Sequence, residues 1–286
     1  MRARLAAFEA AAAAQLPSAE TQPQRLHAAM RYAVLDGGKR VRPLLAFAAA
    51  EAAGADGAAA MPVALAVEFI HAYSLIHDDL PCMDDDVLRR GKPTVHVAFD
   101  EATAMLAGDA LQAESFRALT EAPLPDAVRA ALCSELAVAI GSAGMCGGQA
   151  LDLAAVGGEL ALPELETMHR MKTGALLAAA VRMGALAAQA PAALLAALDH
   201  YARAVGLAFQ IVDDILDVQS SSAQLGKTAG KDAAQNKSTY VSLLGMDAAR
   251  ARAQALHNEA LAALAPLGAG GRRLRELADL IVLRDH

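Results

Sequence analysis

The sequence predicts an all-α protein organised as one large helical bundle. Hydrophobic residues make up 55% of the 286 residues and aromatic residues only 3%, which reflects heavy use of alanine, the best helix former. Apolar residues recur at helical spacing, and no strand-like alternation competes with them. Most connections are short, which makes sequential helices antiparallel neighbours. We expect residues 1–286 to form a single domain, since large all-helical proteins reach this length without dividing.

Prolines and glycines divide the chain into about ten predicted helices. The prolines at helix boundaries or starts are Pro17, Pro23, Pro62, Pro93, Pro125, Pro163 and Pro191. The opening stretch "MRARLAAFEAAAAAQL" predicts an amphipathic first helix rather than a signal peptide, because Glu9 interrupts its apolar run. Residues 220–238 form one long polar connection, which is typical of either a disordered linker or a functional flap.

Charge and cysteine content argue against several classes of protein. The formal net charge is −7 and the pI is near 5.6, and no basic face accompanies them, so we expect no binding to nucleic acid. Cys82, Cys133 and Cys146 show no CxxC or metal-finger spacing, which predicts free thiols in a reducing cytoplasm. No run of about 18 strongly apolar residues is uninterrupted, so we expect no membrane span.

A first acidic cluster, "DDLPCMDDD", comprises Asp78, Asp79, Asp84, Asp85 and Asp86. The preceding stretch "PVALAVEFIHAYSLIH" predicts a helix, which places Asp78 and Asp79 at its carboxyl end. The helix dipole disfavours negative charge at that end, so we expect a cation to compensate it. A solvated acidic loop is the alternative interpretation.

A second acidic cluster lies in "FQIVDDILD". Asp213 and Asp217 project from one helix face a turn apart, with Asp214 beside them. These carboxylates repel one another unless a cation joins them, and the flanking apolar residues favour a buried helix over a surface acidic patch. Ligands that are all oxygen atoms select Mg²⁺ or Mn²⁺ over Zn²⁺. Mg²⁺ completes its shell with water and phosphate oxygens, so a diphosphate bridged by several Mg²⁺ ions fits both clusters.

The basic residues occur in short motifs that suit an anion. The Gly-rich turn "GGKRVRP" carries Lys39, Arg40 and Arg42 into a helix, where backbone N–H and guanidinium groups can bind an anion. Further motifs contribute Arg89, Arg90, Lys172, Lys227, Lys231 and Lys237. The stretch "LGKTAG" does not indicate a nucleotide-binding P-loop, because Ser221 stands where the leading glycine should be and no strand is predicted before it.

Together these motifs resemble those of the trans-isoprenyl diphosphate synthases, and most closely those of the bacterial farnesyl diphosphate synthases. The resemblance covers nearly the whole chain, in order, through "GGKRVRP", "HAYSLIHDDLPCMDDDVLRRG", "LAGDAL", "MCGGQALDL", "HRMKTGAL", "GLAFQIVDDILD", "LGKTAGKD" and "NKSTY". It implies the all-α isoprenoid-synthase fold around a central apolar cavity, usually within a homodimer. It also implies a Mg²⁺-dependent head-to-tail condensation of isopentenyl diphosphate with dimethylallyl or geranyl diphosphate to give farnesyl diphosphate.

The resemblance assigns an expected role to each motif. Three Mg²⁺ ions, or Mn²⁺ in their place, are implied at Asp78, Asp79, Asp84, Asp213, Asp214 and Asp217. The implied contacts to the allylic diphosphate are Arg89, Lys172, Thr173, Gln210, Lys227 and Lys237. The implied contacts to isopentenyl diphosphate are Gly38, Lys39, Arg42, His71 and Arg90. The implied catalytic set is Asp78, Asp79, Asp84, Lys172, Thr173, Gln210 and Asp213.

His71 can be judged from spacing as well. It lies seven residues before Asp78, so both side chains project from nearly the same helix face. This arrangement lets one face serve two neighbouring anions. Taken alone, a histidine in an apolar helix is more often a core residue, and the other motifs favour the binding role.

Product length is expected to depend on the helix that precedes the first aspartates. Tyr73 and Ser74 lie five and four residues before Asp78, about one turn deeper. In similar enzymes an aromatic residue at one of these positions stops chain growth, and the spacing Asp-Asp-x-x-x-x-Asp typifies bacterial C15 synthases. We therefore expect a C15 product, with C10 and C20 as alternatives, and a longer product from Tyr73→Ala.

Two other functions share some of these motifs. A terpene cyclase or head-to-head synthase needs no site for isopentenyl diphosphate, so "GGKRVRP" with His71 and Arg90 counts against it. A non-catalytic subunit of a heteromeric prenyl synthase commonly loses aspartates or lysines from the site, and none is missing here. The chain ends in "VLRDH", which is less basic than the tails of many relatives, so a role of this tail in closing the site is left open.

Overall fold

The computed structural model describes residues 2–35, 37–219 and 237–284. Its α-helices are α1 Arg2–Gln15, α2 Gln24–Leu35, α3 Val41–Ala52, α4 Met61–Asp78, α5 Val95–Ala98, α6 Glu101–Thr120, α7 Asp126–Ile140, α8 Met145–Ala154, α9 Leu162–His169, α10 Ala175–Ala187, α11 Ala192–Gln219, α12 Tyr240–Leu244, α13 Met246–Ala263 and α14 Arg272–Val282. Short 3₁₀ turns precede α4 (Gly57–Ala60) and α14 (Ala265–Gly271), and a π-helical turn, Arg170–Gly174, joins α9 to α10. The all-α prediction is confirmed. Most of the predicted flap, including Lys227 and Lys231, lies outside the described residues.

A small β-hairpin lies within the described residues, and the apolar pattern did not indicate it. Strand β1 (Leu88–Arg89) pairs antiparallel with β2 (Lys92–Pro93) directly after the first acidic cluster. Arg90 and Gly91 form its turn and have φ values of 54° and 76°, as a tight hairpin with matching strand twist requires. Strands of two residues are too short to show a period in the sequence.

Helix α4 lies at the centre of the bundle and packs against α3, α6 and α10. Its residues 63–70 are all buried. Small residues let neighbouring helices approach closely: a Cβ atom on Gly184 of α10 would come within 2.3 Å of the carbonyl oxygen of Ala46 in α3. The alanine-rich composition therefore serves close helix packing, and α4 is held rigidly with the first acidic cluster at its end.

Arg40 of the Gly-rich turn faces the core rather than the solvent. Its guanidinium donates hydrogen bonds to Glu68 and Glu9, each at 2.7 Å, and to the carbonyl of Val34 at 2.6 Å. The side chains of Arg40 and Glu68 are each only 3% exposed. Arg40 thus joins the start of α3 to α1, α2 and α4.

Among the residues that the structure describes, three helical segments are long and apolar enough to cross a membrane by length and composition: Gly57–Asp78, Asp126–Ala154 and Ala192–Gln219. The most apolar of them contains α4, and 67% of its apolar window is buried inside the bundle. Length and composition alone therefore do not distinguish this helix from a membrane span. Its central position in the bundle explains the apolar run.

Candidate active site

A cavity of about 760 Å³ opens at the carboxyl end of α4, between α4, α6, α8, α11 and the π-helical turn. The acidic residues that line it are Asp78, Asp84, Asp86, Asp152, Asp213, Asp214 and Asp217. The basic residues that line it are Arg42, Arg89, Arg90, Lys172 and Lys237. Apolar or weakly polar side chains, including Tyr73, Met105, Met145, Leu153 and Phe209, complete the wall. The two acidic clusters, 135 residues apart in sequence at Asp78 and Asp213, therefore share one cavity.

The first two aspartates have different surroundings. Asp78 ends α4 and lines the cavity. Asp79 is only 3% exposed and accepts bonds from the Nε of Arg89 at 2.8 and 2.9 Å and from its Nη2 at 2.5 Å. Asp79 is not among the residues that line the cavity, so its role as a metal ligand stays a prediction. In the structure it fixes Arg89 and the hairpin.

The carboxyl group of Asp78 is poorly solvated. Burial raises its pKa to about 6; Lys172 opposes that rise, and the neighbouring carboxylate of Asp84 adds to it. A divalent cation at this position would stabilise the ionised form in place of the lost water. A carboxylate that a cation would stabilise therefore lines the cavity.

In the second cluster, a chain of hydrogen bonds holds one carboxylate in place. Asp214 is 5% exposed and accepts bonds from the backbone N–H of Tyr240 at 2.8 Å and from Nε2 of Gln210 at 3.4 Å. The hydroxyl of Thr173 donates to Oε1 of Gln210 at 3.1 Å. The two residues expected near the reacting centre are thus linked to each other and to Asp214.

Two lysines share a carboxylate that the sequence did not identify as central. Asp152 of α8 accepts bonds from Nζ of Lys172 at 2.6 Å and from Nζ of Lys237 at 3.4 Å, and Lys237 also lies 3.8 Å from Asp84. Burial would raise the pKa of Asp152, but the two ammonium groups lower it overall. Asp152 therefore gathers two cations on one side of the cavity.

A glycine allows this arrangement. A Cβ atom on Gly148 of α8 would lie 2.1 Å from the backbone nitrogen of Lys172, so only glycine lets α8 pack this closely on the π-helical turn. A single π-helical turn within a helix often marks a functional site. The close packing of α8 on the π-helical turn thus explains why "MCGGQALDL" has glycine at position 148.

The residues expected to bind isopentenyl diphosphate gather at the hairpin and the Gly-rich turn. Nη1 of Arg90 donates to the carbonyl of Gly37 at 2.6 Å. Gly38 has a φ of 130°, and a Cβ atom on it would lie 2.8 Å from that same Nη1. Arg90 and the Gly-rich turn therefore fit together only with glycine at position 38.

Arg42 and His71 line the same part of the cavity. Burial lowers the pKa of His71 well below its ordinary value, and the guanidinium groups of Arg42 and Arg90 lower it further. His71 is consequently neutral without substrate and offers one N–H donor to an anion. Lys39 lies beside this region as a largely exposed residue and is not among the residues that line the cavity. Partial burial of its ammonium group lowers its pKa, and the nearby guanidinium of Arg284 lowers that pKa further.

Arg284, from the end of the chain, reaches the second acidic cluster. Its Nη2 pairs with Asp213 and donates to the carbonyl of Phe209 at 3.4 Å. Its guanidinium carbon lies 4.4 Å from the centre of the Phe209 ring, a cation–π contact. The side chain is only 9% exposed. The short tail "VLRDH" thus places a cation at an expected metal ligand.

The candidate chain-length residues lie on the apolar wall. Tyr73 is 6% exposed, its hydroxyl lies 4.0 Å from Sγ of Cys146 in α8, and burial raises the pKa of its phenol. Ser74 lines the same cavity and donates to the carbonyl of His71 at 2.9 Å. Tyr73 therefore presents a ring to the cavity, and Ser74 turns its hydroxyl back to the helix.

The carboxylates fit a hard divalent cation that is also held by substrate. Every candidate ligand is a carboxylate oxygen, which suits Mg²⁺ or Mn²⁺. Within residues 2–35, 37–219 and 237–284, no three Asp, Glu, His or Cys side chains form a closed metal site. Carboxylates on two sides of one cavity suit Mg²⁺, which binds to few carboxylates and completes its shell with water and phosphate oxygens.

The structure brings most of the predicted residues together. Those that line the cavity are Asp78, Asp84, Asp213, Asp214, Asp217, Arg42, His71, Arg89, Arg90, Lys172, Thr173, Gln210, Lys237, Tyr73 and Ser74. Gly38 and Lys39 lie beside it, Asp79 behind Arg89, and Lys227 outside the described residues. Sequence reasoning missed the pairing of Asp152 and the position of Arg284. The spacing in "GGQALDL" was the only available signal for Asp152.

Comparisons with known proteins identify the family of this chain. Residues 23–265 match the family model described as polyprenyl synthetase. A protein of Sinorhizobium fredii named probable farnesyl diphosphate synthase is 54% identical over 256 residues, which cover 88% of this chain and 77% of that protein.

Solved structures are similar over almost the whole chain. An FPP/GFPP synthase from Zymomonas mobilis has a TM-score of 0.89 and 44% identity, covering 98% of this chain and 96% of its own. A geranyltransferase from Helicobacter pylori complexed with magnesium and isoprenyl diphosphate has a TM-score of 0.87 and 36% identity, covering 99% and 95%. The predicted isoprenoid-synthase fold is confirmed, and the chain belongs to the polyprenyl synthetase family.

Proposed function

We propose that this chain is a farnesyl diphosphate synthase, which condenses isopentenyl diphosphate head-to-tail with dimethylallyl diphosphate and then with geranyl diphosphate. The observation that carries the proposal is that two acidic clusters and two sets of cations face one cavity with an apolar wall. The name of the Sinorhizobium fredii relative supports the C15 product. The isoprenyl diphosphate in the Helicobacter pylori structure supports the substrate class.

Mg²⁺ is the proposed cofactor, with three ions per site and Mn²⁺ as a possible substitute. The carboxylates that would hold it are Asp78 and Asp84 on one side of the cavity and Asp213, Asp214 and Asp217 on the other, with Asp79 as a further candidate. When bound, the metal supplies positive charge that stabilises the departing pyrophosphate. The magnesium in the Helicobacter pylori structure supports this assignment.

The cationic side chains divide between the two substrates. Lys172 and Lys237, gathered by Asp152, bind the allylic diphosphate together with Arg89, and Lys227 is proposed to join them. Arg42, Arg90 and neutral His71 bind isopentenyl diphosphate, with Gly38 and Lys39 at its edge. Because each diphosphate has its own cations, both substrates can be bound side by side with their apolar tails in the cavity.

The chemical step needs no nucleophile from the protein. The allylic C–O bond breaks and pyrophosphate leaves with its electron pair; the double bond of isopentenyl diphosphate then forms the new C–C bond to the allylic carbocation. A proton leaves the new cation and is accepted by the pyrophosphate, with Thr173 and Gln210 near the reacting carbons. The lysines stabilise the departing charge, and the apolar wall excludes water that would quench the cation.

A direct assay tests this function. The purified protein is incubated with Mg²⁺, isopentenyl diphosphate and either allylic primer, and the dephosphorylated products are separated by chromatography. Farnesol is expected from both primers, and Asp78→Asn should lose most of the activity. Geraniol alone or a C20 alcohol would contradict the C15 assignment. No condensation at all would favour the non-catalytic subunit.

The second candidate function is the synthesis of a product longer than C15. The name of the Zymomonas mobilis relative includes a second product besides FPP, namely GFPP. Product length therefore differs among similar enzymes. In this chain Tyr73 is proposed to stop growth at C15, because its buried ring forms part of the cavity wall. Tyr73→Ala is expected to give longer products, and unchanged C15 output would refute Tyr73 as the stop.

We also propose that the enzyme is a cytoplasmic homodimer. Exposed apolar side chains outside the cavity lie on α6, α7 and α8, which pack in succession: Leu106, Val138 and Leu151 are 44–61% exposed. Such a surface favours a second copy of the chain. Light scattering of the purified protein tests it, with a dimer expected and a monomer for a Leu106→Glu variant. The three free cysteines are consistent with a reducing compartment.

A further inference from the structure

Gly108 of α6 lies opposite the helix that carries the chain-length residues. It is buried in the interior of a 20-residue helix, where glycine costs about 1 kcal/mol relative to alanine. A Cβ atom on Gly108 would lie 2.1 Å from Nε2 of His77 and 2.5 Å from its Cδ2. The missing side chain therefore makes room for the imidazole of His77, the residue directly before Asp78.

The imidazole is held on this side of the cavity by a hydrogen bond between helices. Nε2 of His77 lies 3.0 Å from the carbonyl oxygen of Met105, one turn before Gly108. A carbonyl can only accept, so Nε2 must carry the proton in this contact. The ring thus joins α4 to α6, and it fits there only while position 108 has no side chain.

His77 also supports Tyr73. The two rings lie on one face of α4, four residues apart, with centroids 5.6 Å apart and planes at 76° in an edge-to-face contact. On its other side the hydroxyl of Tyr73 meets Cys146 of α8. Tyr73, His77, Met105 and Cys146 all line the cavity. The wall that faces a growing chain is therefore an assembly of three helices, and Tyr73 is held between His77 and Cys146.

We propose that Gly108 and His77 determine product length together with Tyr73, by setting how far the aromatic wall extends into the cavity. This inference rests on the proposed condensation of isoprenyl diphosphates. Gly108 acts through His77 and is a positioning residue; His77 is in the wall itself. A methyl group at position 108 forces the imidazole away from Met105 and towards Tyr73 and the cavity, which shortens the space. Removal of the imidazole leaves a void beside Tyr73 in the wall, which enlarges the space for the growing chain.

A cycle of three variants tests the proposal by product length with dimethylallyl diphosphate as the primer. Gly108→Ala is expected to lower the ratio of farnesol to geraniol about tenfold, the discrimination that a change of about one methylene in an apolar pocket supplies. His77→Ala is expected to produce C20 alcohol. The double variant, in which the new methyl group fills part of the void, is expected to return towards C15.

Gly158→Ala is the matched control. A Cβ atom there would meet only the carbonyl oxygen of Ala155, at an ordinary 3.5 Å, so its product should be that of the unchanged enzyme. Circular dichroism checks that each variant is folded. Unchanged product lengths in both single variants would overturn the proposal, and so would a double variant whose product is simply that of Gly108→Ala. If Gly108→Ala does not fold, C15 alone from His77→Ala overturns it.

The same assay separates this inference from the proposed function. If the unchanged enzyme forms no condensation product, the proposed function fails. If it forms farnesyl diphosphate and the variants do too, only the role of Gly108 and His77 fails.

Discussion

Replacing Asp152 by asparagine removes the charge that both site lysines share while keeping the side-chain volume. The carboxylate is 10% exposed, and Lys172 and Lys237 are 25% and 16% exposed, so solvent screens these contacts only in part. A hydrogen bond to a charged group contributes about 1.5–3 kcal/mol. The shorter contact, at 2.6 Å to Lys172, is the one expected to reach the middle of that range.

We therefore expect Asp152→Asn to lose about 2 kcal/mol of transition-state stabilisation, which is about a 30-fold decrease in kcat/KM for the allylic diphosphate. The physical reason is that Lys172 and Lys237 are no longer drawn to the position where the pyrophosphate develops its charge. The assay is steady-state condensation at saturating Mg²⁺ and isopentenyl diphosphate, with the allylic diphosphate varied.

Two controls make this prediction specific. Glu159→Gln neutralises an exposed carboxylate that does not line the cavity and should leave kcat/KM unchanged. Asp152→Glu restores the charge and should recover part of the lost activity. A value of kcat/KM for Asp152→Asn within about threefold of the unchanged enzyme would refute the idea that Asp152 positions the lysines.

Three further predictions follow from charges around the site. Arg284→Met removes the cation paired with Asp213 and should tighten Mg²⁺ binding about fivefold, since such a pair contributes about 1 kcal/mol; calorimetry showing weaker binding would contradict this. Burial raises the pKa of Asp78 to about 6, so the folded state keeps this proton to a higher pH than the unfolded chain, and the contribution of Asp78 to stability without metal falls as pH rises from about 4 to 6. Mg²⁺ affinity is expected to rise about fivefold between pH 5 and pH 6, because the ionised fraction of a carboxyl group with that pKa rises by about that factor; a flat Mg²⁺ affinity between about pH 5 and pH 7 would exclude this. Glu68→Gln leaves the buried Arg40 short of a charge partner and should lower the free energy of unfolding in urea by about 3 kcal/mol, and a loss below about 1 kcal/mol would show that the buried pair stabilises little.

The parts of the molecule that could be predicted from sequence are those with a local signal. Helical spacing indicated α4 and α11, and the same spacing placed Asp213 and Asp217 on one face of a largely buried helix. The sequence allowed the two aspartate clusters to face each other across a bundle, and in the structure both line one cavity. The hard oxygen ligands indicated the class of metal before any geometry was available.

The parts that could not be predicted depend on contacts between residues far apart in sequence. Asp79 looked equivalent to Asp78, but the hairpin turns Arg89 onto it. Arg284 pairs with Asp213 across 71 residues, and nothing in "VLRDH" indicates that contact. His77 fits against Gly108 because a Cβ atom at position 108 would collide with the imidazole where α4 and α6 pack together. The spacing of residues along either helix does not reveal that contact.

The central claim is that this cavity joins two isoprenyl diphosphates and stops at fifteen carbons. The measurement that tests it most directly is chromatography of the dephosphorylated products formed from isopentenyl diphosphate and dimethylallyl diphosphate, with and without Mg²⁺. Farnesol as the main product, formed only when the metal is present, is the expected result. Farnesol formation that persists in a metal chelator, or a main product other than farnesol, would contradict the account.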